Sequence, residues 1–182
     1  KSTFELSALT SAKLTVRKRT ILIISLFFTQ TFFVMNPVVE LFRSYIGAEM
    51  LDERVPVVVR WLNLRIREAN VGHIVIEALV RPDMCNPAHV LHGGLQCTIM
   101  DEAFGMSVGL LGVDNFHVNT NLHIDFLQPA PLGATVIAEA RVIRAGKHLK
   151  NVQCELRLED GTIIARGTSN LFRTAIGPLK AH

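Results

Sequence analysis

Apolar and polar residues follow the spacing of β-strands over six stretches of the chain. These predicted strands span residues 57–67, 73–80, 116–127, 134–144, 148–158 and 162–172. Asp160-Gly161 predicts a tight hairpin between the last two strands. Residues 37–50 instead have the spacing of a short amphipathic helix, with Asn36 as its cap and Pro37 in its first turn.

The one long helical stretch, residues 92–112, is apolar around most of its circumference. At about 100° per residue from His92, a core-facing stripe is predicted that contains Leu95, Ile99, Ala103, Met106 and Leu110. A surface helix would show one clear polar face, so the sheet is expected to wrap around this helix. The order of elements therefore predicts an α+β fold.

Asp101 is the candidate acid of this helix. It follows His92 by nine residues, which places it on the opposite side and roughly 13 Å along the axis. If both residues serve one site, that site must combine two chains. Gly94, Gly105 and Gly109 share the side of Asp101, and glycine in a helix costs about 1 kcal/mol relative to alanine. We therefore expect a partner backbone or a ligand to approach closely, with Asp101 as a general base; the alternative is an acid that caps locally or pairs with an arginine.

The start of the same helix supplies a second candidate feature. Gly93 and Gly94 lie in the first turn, where backbone N–H groups lack partners inside the helix and the dipole favours negative charge. Such an N–H can polarise a carbonyl oxygen as in an oxyanion hole. Asn86, in the loop before, carries an amide that could hold the reacting group or an attacking water. The alternative is an ordinary helix start with a solvated His92.

Charge is distributed unevenly along the chain. The net charge is +3, but residues 1–34 hold five basic residues and one acid, so residues 35–182 carry −1. A nucleic-acid-binding domain is therefore not expected. The basic stretch 17–19 precedes an apolar run that is too short for a membrane-spanning helix. The pattern resembles a signal sequence without a clear cleavage site, and the basic, acid-poor composition equally fits an organellar presequence. We interpret residues 1–34 as an N-terminal extension, the only part expected to touch a membrane, and residues 35–182 as one domain.

Three cysteines, Cys85, Cys97 and Cys154, form no paired pattern, so a reducing, cytoplasmic compartment is predicted instead of a disulfide framework. Cys85, His89 and His92 have a spacing that suggests zinc, but no fourth ligand is apparent nearby. No metal is predicted.

Two stretches together resemble a known family. Asn86-Pro-Ala-His-Val-Leu-His92-Gly93-Gly94, followed by Asp101, is similar to the signature of hotdog-fold acyl-CoA thioesterases of the phenylacetic-acid-pathway type. Ile124-Asp-Phe-Leu-Gln-Pro-Ala130 is similar to the family's third long strand, and the resemblance covers about residues 36–175. It implies a six-stranded antiparallel sheet around the helix, homodimers joined edge to edge, and commonly homotetramers.

The resemblance also implies roles for individual residues. Asp101 matches the nucleophile or general base, Gly93 the backbone donor to the thioester oxygen, and Asn86 and His92 positioning residues. Binding residues are expected at Gly94 and at Asn119 or Thr120, either of which could orient water. Arg144, Lys147 and His148 lie in the densest basic patch of the domain, which favours contact with the phosphates of CoA or is an ordinary solvated hairpin tip.

The expected function is hydrolysis of an acyl-CoA, with CoA as part of the substrate and no cofactor, in fatty acid metabolism. An apolar acyl tunnel is expected near Met100, Phe104 and Phe126, and both aromatic and medium-chain aliphatic acyl groups would fit it. Two other functions remain open: a hotdog hydratase or dehydratase, and an acyl-CoA-binding module without catalysis.

Overall fold

The computed structural model of the chain describes residues 36–53 and 55–177. Its helices are α1 (Pro37–Ser44), α2 (Val57–Leu62) and α3 (Gly93–Gly109), with a short 3-10 helix at Pro82–Met84. Its strands are β1 (Arg65–Asn70), β2 (His73–Leu79), β3 (His117–Phe126), β4 (Thr135–Ala145), β5 (Leu149–Leu158) and β6 (Ile163–Arg173).

The six strands form one antiparallel sheet in the order β1-β2-β4-β5-β6-β3. Helix α3 lies against strands β2, β3, β4, β5 and β6. Its side chains Ile99, Ala103 and Phe104 join Ile76, Leu156 and Ile164 of the sheet in one core. This is the predicted α+β architecture, a sheet around a long helix, and the predicted hairpin at Asp160-Gly161 joins β5 to β6.

The prediction of a strand over residues 57–67 is wrong in its first half, because residues 57–62 form α2 and β1 begins later. Val59 and Leu62 are buried on one side of α2 at helical spacing. Apolar residues are so dense here that both a helical and a strand period fit, so packing decides. Asn63, with φ 51°, ends the helix in the left-handed conformation. The first helix is also shorter than predicted and ends at Ser44.

The core-facing side of α3 is also displaced from the predicted stripe. Leu95 and Met106 are only half-buried, whereas Met100 and Phe104 are fully buried. His92, from which the stripe was counted, caps the helix and lies outside its regular turns. The buried arc is therefore set by contact with the sheet and is wider than a single stripe.

Strand β3 forms one edge of the sheet, and no strand of the described residues pairs with its outer side. A bulge at Thr120 interrupts its pairing with β6, since Asn119 and Asn121 oppose consecutive residues of that strand. The extra residue changes which side chains face α3. As a result Asn119, before the bulge, and Phe126, after it, both contact the helix.

On the face of the sheet away from α3, Glu139 is the centre of an ion-pair network. Its carboxylate accepts hydrogen bonds from Arg157 (2.6 Å) and Arg141 and lies 3.1 Å from His73 Nε2. Partial desolvation raises the pKa of Glu139, but the hydrogen bonds from Arg157, Arg141 and His73 outweigh it and lower the pKa to about 2.

The Glu139 network is expected to make the protein sensitive to acid. Because the folded pKa lies below the ordinary value of 4.5, its contribution to stability is complete above that pH and is lost as the pH falls toward 2. Glu139→Gln should remove at most about 3 kcal/mol and flatten the curve of unfolding free energy against pH in this window. Urea titrations at several pH values measure this. Glu155→Gln, a more exposed ion-pair partner, should change the curve less; an equal change would contradict the special role of Glu139.

The predicted extension, residues 1–34, and the predicted domain start at Met35 lie outside the described residues. The division into an extension and a domain therefore stays a prediction. Among the helices of residues 36–53 and 55–177, none is long and apolar enough to span a membrane.

Candidate active site

Helix α3 begins with a cap that leaves one backbone donor free. His92 Nδ1 accepts the N–H of Gly94 at 2.9 Å, so the neutral ring carries its proton on Nε2. In the part of the chain that the structure describes, the N–H of Gly93 has no hydrogen-bond partner. Of the two candidate glycines, Gly93 is thus the one whose N–H can bind a ligand.

The loop before α3 orients a second donor. Asn86 Oδ1 accepts backbone N–H groups from Ala88 (2.9 Å) and Val90 (3.4 Å). Because the oxygen is held by its own loop, the NH2 group must point away from it, and this group has no partner among residues 36–53 and 55–177. Asn86 therefore presents a donor, as expected for a residue that holds a carbonyl oxygen.

Both donors line one groove of about 310 Å³, which we call the donor half-site. The Phe126 ring closes it from β3, so near that a Cβ at Gly93 would lie 3.4 Å from Phe126 Cζ. Gln96 forms part of the wall and is 5% exposed; its Nε2 donates to Leu91 O at 3.3 Å. Gln96 was not predicted from the sequence, because one polar residue in an apolar helix has no distinguishing pattern.

Asp101 lies in a second cluster, which we call the acid half-site. Its side chain is exposed, and Asn119 Nδ2 donates to Asp101 Oδ1. Thr120 does not contact the acid: its hydroxyl donates to Asn170 O at 2.9 Å. Among the described residues no arginine pairs with Asp101. The neighbouring carboxyl, Glu102, is half-buried, and its pKa is raised by desolvation and by the charge of Asp101.

The two half-sites are far apart in one chain. Asn119 lies near the start of β3 and Phe126 at its end, so seven residues of strand, roughly 23 Å, separate them. Along α3, Gly93 and Asp101 are separated by roughly 12 Å of helix. The structure therefore brings Asn86, His92, Gly93 and Gly94 together, and Asp101 with Asn119, but not the first group with the second.

The predicted phosphate-binding residues lie on the hairpin between β4 and β5. Arg144, Lys147 and His148 are exposed there, and the turn requires glycine, since a Cβ at Gly146 would lie 2.8 Å from a backbone oxygen. The strand registers place the base of this hairpin level with Asn119 in the direction across the strands. The basic patch thus lies at the end of the sheet that carries the acid half-site, while its phosphate role stays a prediction.

Two other sequence-based interpretations can be placed on the structure. Cys85 Sγ donates to Arg81 O at 3.4 Å, and no cluster that could hold a metal ion occurs in residues 36–53 and 55–177. Met100 and Phe104, two of the three residues near which an acyl tunnel is expected, are 0% exposed in the core. They lie on the side of α3 that packs against the sheet, and of the three only Phe126 lines a groove. The tunnel itself stays a prediction.

Comparison with known proteins relates the chain to thioesterases. Residues 88–165, which include α3 and strands β3, β4 and β5, match the family model described as Thioesterase superfamily. Human acyl-coenzyme A thioesterase 13 is 29% identical over 97 residues, which cover 53% of this chain and 69% of that protein. Over these residues the chain is similar to the thioesterase superfamily. The predicted resemblance is confirmed, and the matched proteins are consistent with the predicted enzyme class, a thioester hydrolase.

Solved structures confirm the predicted hotdog fold. The Escherichia coli PaaI protein from the phenylacetic acid degradation operon superposes with a TM-score of 0.64 at 24% identity, over 67% of this chain and 87% of that one. The smu.793 protein of Streptococcus mutans bound to acetyl CoA gives 0.62 at 22% identity, over 71% and 99%. Among curated relatives, the chain spans about two thirds of the length of the first it matches, 62% to 69%.

Proposed function

We propose that the chain hydrolyses acyl-CoA thioesters at a site that two copies of the chain build together. Similarity to the thioesterase superfamily over residues 88–165 supports the reaction. The name of the human relative, an acyl-coenzyme A thioesterase, and the acetyl CoA in the Streptococcus mutans structure support the substrate class.

The position of the two half-sites at opposite ends of β3 carries this proposal. If two β3 edges pair antiparallel about a two-fold axis, the start of one strand meets the end of the other. Asp101 and Asn119 of one protomer would then face the groove at Gly93 and Phe126 of its partner. The exposed apolar residues Val118 and Leu122 would be covered by the same pairing. One dimer would hold two such sites.

Each half-site has a separate task in the proposed reaction. The N–H of Gly93 and the NH2 of Asn86 donate to the thioester oxygen, and the start of α3 stabilises the negative charge that develops there. Asp101 takes a proton from water, whose oxygen attacks the carbonyl carbon; the carbon–sulfur bond breaks and the thiolate takes the proton. Attack by Asp101 itself, with hydrolysis of the resulting anhydride, uses the same groups. Asn119 holds one carboxylate oxygen and leaves the other for water.

The remaining features of the proposal follow from the substrate. Arg144, Lys147 and His148 would bind its phosphates, and the reaction as written uses no cofactor beyond the CoA that is part of the substrate. Association of dimers into tetramers, a cytoplasmic location and a role in fatty acid metabolism stay predictions.

A panel of acyl-CoA molecules of different chain length, read by free thiol, tests the proposed function. We expect saturable thiol release with at least one chain length. Protein that carries Asp101→Asn and is purified identically is the control against contaminating esterases. Hydration of an enoyl-CoA without thiol release would favour the hydratase, and binding without turnover would favour the binding module. Either result would overturn the proposal.

A further inference from the structure

Ser169 is a polar residue in a row of small and apolar side chains. It lies on β6 between Gly167 and Leu171, on the face that packs against α3, and is 2% exposed. Its hydroxyl is 2.6 Å from Asn119 Oδ1 and 2.7 Å from the backbone oxygen of Asn121. A buried hydroxyl with two acceptors this near is held in place, and one of them belongs to the residue that contacts Asp101.

The contact between Asn119 and Asp101 depends on which end of the amide faces the acid. An asparagine side chain can present either NH2 or oxygen after a half-turn of its terminal group. Only the NH2 end can donate to an ionised carboxylate, whereas the oxygen end would repel it. Nothing in the contact with Asp101 alone prevents the half-turn when the acid takes up a proton during the reaction.

A hydrogen bond from Ser169 can prevent this half-turn of the Asn119 amide. A hydroxyl donates one proton, and Asn119 Oδ1 is an acceptor within its reach. Donation to that oxygen fixes it toward β6 and leaves Nδ2 directed at Asp101. The second acceptor, Asn121 O, lies just after the β3 bulge that places Asn119 beside the helix. Ser169 thus lies within hydrogen-bond distance of both the amide and the bulge, and its single proton can be donated to one of these two oxygens at a time.

We propose that Ser169 is a positioning residue of the active site, which acts on Asp101 through the amide of Asn119. This inference rests on the proposed function, in which Asp101 activates water or attacks the thioester. Ser169 does not touch the substrate. It keeps the Asn119 NH2 on one carboxylate oxygen, so that the other oxygen stays aimed at the reacting atoms.

A double-mutant cycle with Asn119 tests this role. Ser169→Ala should lower kcat about tenfold, the size expected for loss of one orienting hydrogen bond, with little change in KM. In the Asn119→Ala background the same change should lower kcat no further, because the amide through which Ser169 acts on Asp101 is already absent. Ser107→Ala is the matched control: Ser107 is also fully buried, but its hydroxyl donates to Phe104 O at 2.8 Å on α3. Unchanged kcat in Ser169→Ala, or additive losses in the double variant, would overturn the proposal.

A spectroscopic measurement separates this inference from the proposed function. The side-chain amide signals of Asn119 can be assigned in 15N-labelled protein by their loss in Asn119→Ala. Ser169→Ala should shift both signals toward those of solvent-exposed asparagines, and Ser107→Ala should leave them in place. If the Asn119 amide signals do not move in Ser169→Ala, the proposed action of Ser169 through Asn119 is overturned. Wild-type protein without thiol release, but with the shift present, would instead overturn the thioesterase proposal and leave the contact established.

Discussion

Asp101→Asn is expected to lower kcat by about 10²- to 10⁴-fold, the range for loss of a general base. The change removes the charge and the basicity of the acid but keeps its shape. Asn119 Nδ2 can still donate to the oxygen that remains, and the side chain is exposed, so the fold should be unaffected. Thiol release under saturating substrate measures the effect, and urea unfolding verifies the fold.

Asp114→Asn is the matched control for this substitution, because Asp114 is an exposed acid in the turn after α3 and lies outside both half-sites. It should retain wild-type turnover. Near-normal hydrolysis by Asp101→Asn would exclude Asp101 both as base and as nucleophile, since an amide can serve as neither.

Gly93→Pro is expected to lower kcat by about 10²- to 10³-fold, the loss typical of one oxyanion donor. Proline removes the backbone N–H, and the first position of a helix tolerates it because that N–H has no partner inside the helix. The preceding residue is compatible as well, because His92 has ψ 134°, in the extended range that a following proline requires. The substitution therefore deletes the proposed donor without breaking α3.

Gly93→Ala provides the control, because it adds a Cβ at the same position but keeps the N–H. That Cβ would lie 3.4 Å from Phe126, an ordinary van der Waals contact, so most activity should remain. Equal losses in the two variants would assign the effect to bulk in the groove and not to the donor.

Mixed dimers of the two inactive chains test whether the site is shared. In a dimer of one Asp101→Asn chain and one Gly93→Pro chain, one site would combine the intact Asp101 with the intact Gly93, and the other site would lack both. With random pairing about half of the dimers are mixed, and each mixed dimer has one intact site of its two. About a quarter of the wild-type activity should therefore be restored. Coexpression with two affinity tags provides the mixture. Failure to recover activity in purified mixed dimers would contradict the shared site.

The sequence predicts the architecture because its strands alternate and its long helix is apolar all round. It also predicts both half-sites, since free N–H groups at a helix start and an acid nine residues later follow from helix geometry. The first half of the 57–67 prediction is wrong for a physical reason: with apolar residues at nearly every position, α2 is selected by the burial of Val59 and Leu62, which only the folded chain provides.

Ser169 and Asn119 illustrate what the sequence leaves undetermined. Alternation in the last strand places Ser169 among inward-facing residues, and a buried serine in that row is a visible signal. Its partner cannot be read from the chain, because 50 residues separate Ser169 from Asn119. The choice between Asn119 and Thr120 depends on a bulge whose position the local pattern does not mark.

Because side chains alternate between the two faces of a strand, the bulge at Thr120 fixes how many residues β3 must have between Asn119 and Phe126. Loss of one residue between Asn119 and Phe126 would turn one of these two side chains to the far face of the sheet, whereas loss of two would restore their common orientation at the expense of their spacing. Natural variation in length should therefore be absent from this strand. A set of single-residue deletions between Asn119 and Phe126, screened for thiol release, would show this as inactive clones throughout the segment.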